Sequence, residues 1–122
     1  MLLGARTLQD EGCALVYESG DGSHFALAGR ITTDEPFGYM WECPDYAAPD
    51  GQPLLICCPQ GIPHEPFRYR NAHQCGCFPL AGDLAAPGRP GAFQPFDYGF
   101  APCIRCFLAN FPELLIYQIH PG

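Results

Sequence analysis

Short apolar runs alternate with turn residues along the chain. "CALVYES" (13–19), "HFALAGR" (24–30), "YMWEC" (39–43), "PLLICC" (53–58), "NAHQCGCF" (71–78) and "ELLIYQI" (113–119) are rich in β-branched, aromatic or aliphatic residues. Gly20-Asp21-Gly22, Asp50-Gly51 and the glycine-proline tract from Gly88 to Gly91 separate several of them. Such runs, bounded by such residues, predict short strands and an all-β fold. One hairpin is expected across "VYESGDGSHFALAG", turning at Asp21-Gly22, and a second from "MWECPDYAAP" to "DGQPLLICCPQG", turning at Asp50-Gly51. Fourteen prolines and fourteen glycines leave little room for a helix of ordinary length. "CFLANFPELL" (106–115) is the one plausible helical turn.

The 122 residues fit one small domain or part of one, and 48% hydrophobic content is enough for a core. A net charge of −7 with six Lys plus Arg argues against nucleic acid and anionic membrane as partners, because phosphate binding draws on basic side chains. No apolar run reaches the roughly 18–20 residues of a membrane-spanning helix. The start, "MLLGARTLQDEG", shows no secretory pattern, so a cytoplasmic location and reduced thiols are expected for the eight cysteines. Their first reading is packing, since a thiol in an apolar run is a small hydrophobe.

One stretch carries chemistry. "FGYMWECPDY" (37–46) places Glu42 among aromatic residues, where an ionised carboxylate is costly to desolvate. Burial beside Trp41 and Met40 is expected to raise the pKa of Glu42 and make it a proton donor.

The phrases "LGARTLQDEGCALVYESGDGSHF" (3–25), "TTDEPFGYMWECPDY" (32–46), "LLICCPQGI" (54–62) and "FDYGF" (96–100), in this order, resemble glycoside hydrolase family 32. These are the β-fructofuranosidases, among them the invertases and sucrose-6-phosphate hydrolases. The resemblance implies about two blades of a five-bladed β-propeller. It implies a fragment: residues 1–100 as a partial propeller domain and 101–122 as a divergent segment, in which "APCIRCFLANFPELLIYQIHPG" departs from the family's continuation through loss of residues or a change of frame.

By the same resemblance Glu42 is the general acid/base, Cys43 lines the fructose pocket beside it, and Trp41 contributes to substrate binding. Gln74, in "HQCGCF", falls where the family has a Gln-Ser-Gly-Tyr-Phe phrase near the substrate rim. The implied activity is hydrolysis of terminal β-fructosyl linkages in sucrose, sucrose 6-phosphate or fructans, with a small carbohydrate as partner and no metal or organic cofactor. The family's Asn-Asp-Pro and Arg-Asp-Pro phrases, which supply the nucleophile and a stabilising aspartate, do not occur in this sequence. Asp34 reads as a turn residue and Asp45 as support for Glu42. The chain alone is therefore expected to be inactive.

Rival readings remain open on the sequence. Cys75, Cys77, Cys103 and Cys106, with His73 and His120, have spacings compatible with a small zinc module. Cys43 is a conceivable nucleophile with His64 or His73 as base. Trp41, Phe37 and Tyr39 offer platforms for a sugar bound without turnover, and uncovered blade faces offer self-association.

Overall fold

The computed structural model describes residues 1–70 and 73–96. Among these residues seven strands form two antiparallel sheets. The first holds β1 (Leu2–Arg6), β2 (Gly12–Glu18) and β3 (Ala26–Ile31) in that order. The second holds β4 (Met40–Ala47), β5 (Leu54–Gln60), β6 (Gly76–Pro79) and β7 (Gln94–Pro95), also in order.

Both expected hairpins form. Asp50 (φ 50°) and Gly51 (φ 78°) are left-handed, and Gln52 N–H donates to the Pro49 carbonyl at 2.9 Å. This double positive φ is what the twist of a tight hairpin requires, and Asp-Gly tolerates it. The β2–β3 loop is tied down by Asp21, whose carboxylate accepts from the Ser23 and His24 backbone N–H groups at 2.9 and 2.8 Å and meets His24 Nδ1 at 2.6 Å.

The two-residue strand β7 carries no alternation legible in sequence, and "NAHQCGCF" is strand only from Gly76 onward, with an isolated bridge from His73 to Gln60. The strand expected at 113–119 and the helical turn expected at 106–115 lie outside the described residues.

The core lies between the sheets. Ala14, Val16 and Ile31 from the first meet Trp41, Leu55, Cys57 and Phe78 from the second, with Phe93, Leu80, Ile62 and Tyr69 closing the sides. Trp41 stacks on Phe78 with ring centroids 4.7 Å apart and 27° between planes, and Phe37, Tyr69 and Phe93 complete the aromatic cluster. The first sheet approaches closely enough that Gly12 lies against the indole: a Cβ there would stand 2.7 Å from Trp41 Nε1. Gly12 N–H also donates to the Gly38 carbonyl at 2.9 Å, which joins the sheets next to the strand that bears Glu42.

Candidate active site

Strand β4 positions the carboxylates. Its register with β5 runs Met40↔Gln60, Trp41↔Pro59 and Glu42↔Cys58, then resumes at Asp45↔Ile56. Cys43 and Pro44 thus oppose the single residue Cys57, which is a β-bulge. Cys43 takes φ 47°, the left-handed conformation that non-glycine residues adopt at a cost. Pro44 is accommodated because the bulge asks no ladder hydrogen bond of it.

The extra residue decides which way the side chains face. Glu42 and Asp45 are three apart and would point to opposite sides of a regular strand. Their partners Cys58 and Ile56 are two apart, so the bulge puts both carboxylates on one side, opposite the core. A proline inside a strand-like run is the signal in the sequence that could have indicated the bulge.

Strand alternation sends Trp41 the other way. It is fully enclosed, and its indole N–H donates to the Phe37 carbonyl at 2.7 Å. The expected role of Trp41 in substrate binding is therefore corrected: it is a core residue that offers no face to a ligand. Phe37 belongs to the same aromatic cluster. Tyr39 is exposed, donates its hydroxyl hydrogen to Gln60 Oε1 at 2.9 Å and has the Arg6 guanidinium 5.2 Å from its ring centre.

Glu42 is exposed. The enclosure expected from Trp41 and Met40 is absent, because Trp41 turns inward on the face opposite Glu42. Asp45 is half-buried and accepts from the Tyr46 backbone N–H at 2.8 Å. Asp34 is exposed and pairs with Arg89 at 3.0 Å. Gln74 is 4% exposed, and its backbone N–H donates to the Pro59 carbonyl at 3.2 Å. Its expected place at a substrate rim is corrected to an interior one, where a ladder bond to β5 holds it.

Cys43 is exposed. Desolvation, then the Glu42 carboxylate, then Cys75, push its thiol above the ordinary range. Nothing in this shift activates Cys43 as a nucleophile, which needs the reverse. His64 and His73 are both exposed.

Among the described residues four cysteines are buried, Cys13, Cys57, Cys75 and Cys77, as their packing role predicts. Cys58 is half-buried. Among the described residues no group of three or more His, Cys, Asp or Glu side chains is arranged to hold a metal ion. Cys103, Cys106 and His120 lie outside them. No helix of the described residues is long and apolar enough to cross a membrane.

Comparison with known proteins gives one family. The family described as glycosyl hydrolases family 32 N-terminal domain matches residues 1–104. The chain is 37% identical over 101 residues to a sucrose-6-phosphate hydrolase of Staphylococcus xylosus, covering 81% of this chain and 20% of that protein. The corresponding Bacillus subtilis (strain 168) protein is 37% identical over 106 residues, covering 82% and 22%. Among solved structures, Bombyx mori GH32 beta-fructofuranosidase superposes with a TM-score of 0.68 at 31% identity, covering 81% of this chain and 22% of that one. Sucrose-6-phosphate hydrolase from Lactobacillus gasseri gives 0.62 at 28% identity, covering 79% and 20%. The chain thus spans about a fifth of the length of the curated relatives it matches.

Proposed function

The chain belongs to glycosyl hydrolase family 32, and we propose that it carries part of a β-fructosidase active site in which Glu42 is the proton-transfer carboxyl. The bulge of β4 supports this reading above all. It spends a left-handed Cys43 to hold Glu42 and Asp45 on one side of the sheet, and backbone strain of this kind concentrates at functional sites.

In retaining glycoside hydrolysis one carboxyl protonates the departing oxygen and then, as a carboxylate, takes a proton from the incoming water. Glu42, at the open side of β4, is accessible to both partners. A second carboxylate must stand about 5–5.5 Å away as nucleophile. Asp45 shares the face but lies two rungs along β5, roughly 7 Å by strand rise. It is not the nucleophile, which comes from residues other than those described. Cys43, next to Glu42, lines the sugar subsite. The substrate is a terminal β-fructosyl group in sucrose, sucrose 6-phosphate or a short fructan. Two carboxyls suffice for this chemistry, without metal or organic cofactor.

The test is release of fructose or its phosphate partner from sucrose and sucrose 6-phosphate by the longest protein the gene encodes, against its Glu42→Gln variant. Loss of an acid/base residue is expected to lower kcat by about 10²–10⁴-fold. Turnover that Glu42→Gln leaves intact overturns the assignment.

A further inference from the structure

Cys58 and Cys75 occupy one rung of the β5–β6 ladder. The register Cys57↔Gly76, continued by one residue, sets Cys58 across from Cys75, and the Gln60↔His73 bridge lies two rungs beyond on the same register. Backbone bonds fix the kind of rung. Leu80 N–H donates to the Pro53 carbonyl at 2.9 Å and Gln74 N–H to the Pro59 carbonyl at 3.2 Å. Odd-numbered positions of β5 are therefore the hydrogen-bonded rungs, and alternation makes Cys58–Cys75 a non-hydrogen-bonded one. Such rungs bring opposed Cα atoms to about 4.5 Å, inside the roughly 4.4–6.8 Å range that a disulfide spans.

The side chains agree with the backbone. Cys58 and Cys75 share a face, are both free thiols and lie close enough to shift each other's pKa. That contact raises the Cys58 pKa and lowers that of Cys75. Cys58 is half-buried and Cys75 buried behind it. Cys43 is a third thiol near Cys58.

We propose that Cys58 and Cys75 form a dithiol–disulfide redox site that exchanges with small-molecule disulfides such as oxidised glutathione. Cys58, the sulfur that solution reaches, loses its proton and attacks one glutathione sulfur, a step that its raised pKa makes slow at neutral pH and faster as pH rises. The glutathione S–S bond breaks, and the first glutathione thiolate leaves and takes up that proton. Cys75 then attacks the Cys58 sulfur of the mixed disulfide, displaces the second glutathione thiolate, and its proton ends there. Two protein thiols are oxidised to one disulfide, and one glutathione disulfide is reduced to two thiols. The closed bridge pins β5 to β6 directly across from Glu42, whose own ladder partner is Cys58. The site stands independently of the glycosidase reading.

The test treats the full chain, under native conditions, with oxidised glutathione, then alkylates free thiols and digests with trypsin. Cleavage after Arg30, Arg68 and Arg70, the Arg89-Pro90 bond being resistant, separates peptide 31–68 from peptide 71–105. The expected product is these two joined, with fragment spectra assigning the bond to Cys58 and Cys75. It outnumbers any other cross-link by about tenfold or more, since held neighbours meet at a high effective concentration. The link persists in Cys43→Ser and vanishes in Cys58→Ser and Cys75→Ser. A native wild-type chain that yields no joined pair overturns the proposal. So does a joined pair that survives Cys58→Ser, or one that forms with equal preference in urea. The wild-type fragment map decides the matter even if a serine variant does not fold.

Discussion

The two sheets are built from similar strands and buried very differently. In the four-stranded sheet β5 runs Leu55, Ile56 and Cys57 as consecutive buried residues, and β6 buries Gly76, Cys77 and Phe78 in the same way. In the three-stranded sheet β2 is well buried, but the outer strand β3 leaves Ala26, Leu27 and Ala28 exposed. Leu27 is 59% exposed and Phe25, just before it, 46%. Propeller blades are four-stranded as a rule, and β3 is the strand at which the described part of the first sheet stops. Strand propensity made both sheets, and contact with Trp41 and the phenylalanines buries one more completely than the other.

Replacing the residue that both sheets share tests this most severely. Trp41→Ala is expected to cost about 3–5 kcal/mol, because it removes an enclosed ring and leaves a cavity at the junction. Leu27→Ala is expected to stay within about 0.5 kcal/mol, as exposed substitutions do. Urea unfolding of the two variants measures the difference directly, and equal losses would erase the contrast between the sheets.

Gly12→Ala probes the junction from the other side. Its new methyl would overlap the Trp41 ring edge, and overpacking of this kind costs about 1–3 kcal/mol. The thermal midpoint should fall, with the indole fluorescence of the sole tryptophan shifting to the red. An unmoved emission would mean that the sheets meet more loosely than described.

The bulge is expected to respond more gently. Cys43→Gly relieves a left-handed φ and should leave stability unchanged or raise it, whereas Cys43→Val should lose about 1–2 kcal/mol. The same chemical-unfolding measurement reads both, and a stabilising valine would remove the case for strain at the site.

The smallest effect lies at the exposed tip of the first sheet. The His24 backbone N–H, then the His24 ring, the Ser23 N–H and the Ser19 hydroxyl, hold the Asp21 carboxyl far below its usual range. A depressed folded-state pKa stabilises the loop fully above the ordinary carboxylate value of about 3.9 and loses that support as pH falls toward the folded value. Carbon NMR of the Asp21 carboxyl should show a midpoint well below that of an ordinary aspartate. An ordinary midpoint would show the loop hydrogen bonds to be unformed in solution.

The all-β class, both hairpins and their turn residues were legible in the sequence, because alternation and Asp-Gly pairs are local properties. Family membership was legible too, since ordered phrases such as "TTDEPFGYMWECPDY" survive in one dimension. Side-chain direction was not. Trp41 and Gln74 were expected to face a ligand and face the interior, while Glu42 was expected to be enclosed and is exposed. All three follow from strand pairing: a parity along β4 that a bulge resets at Cys43, and a ladder bond that draws Gln74 inward.

The thiols divide in the same way. Residue identity alone determined that several of the eight cysteines would fall in apolar runs and behave as small hydrophobes. That Cys58 and Cys75, seventeen residues apart, sit on one non-hydrogen-bonded rung was decided by the register of β5 against β6. Local sequence determines where a strand can form; which residues then meet across it depends on backbone hydrogen bonds between segments far apart in the chain, and those exist only in the folded state.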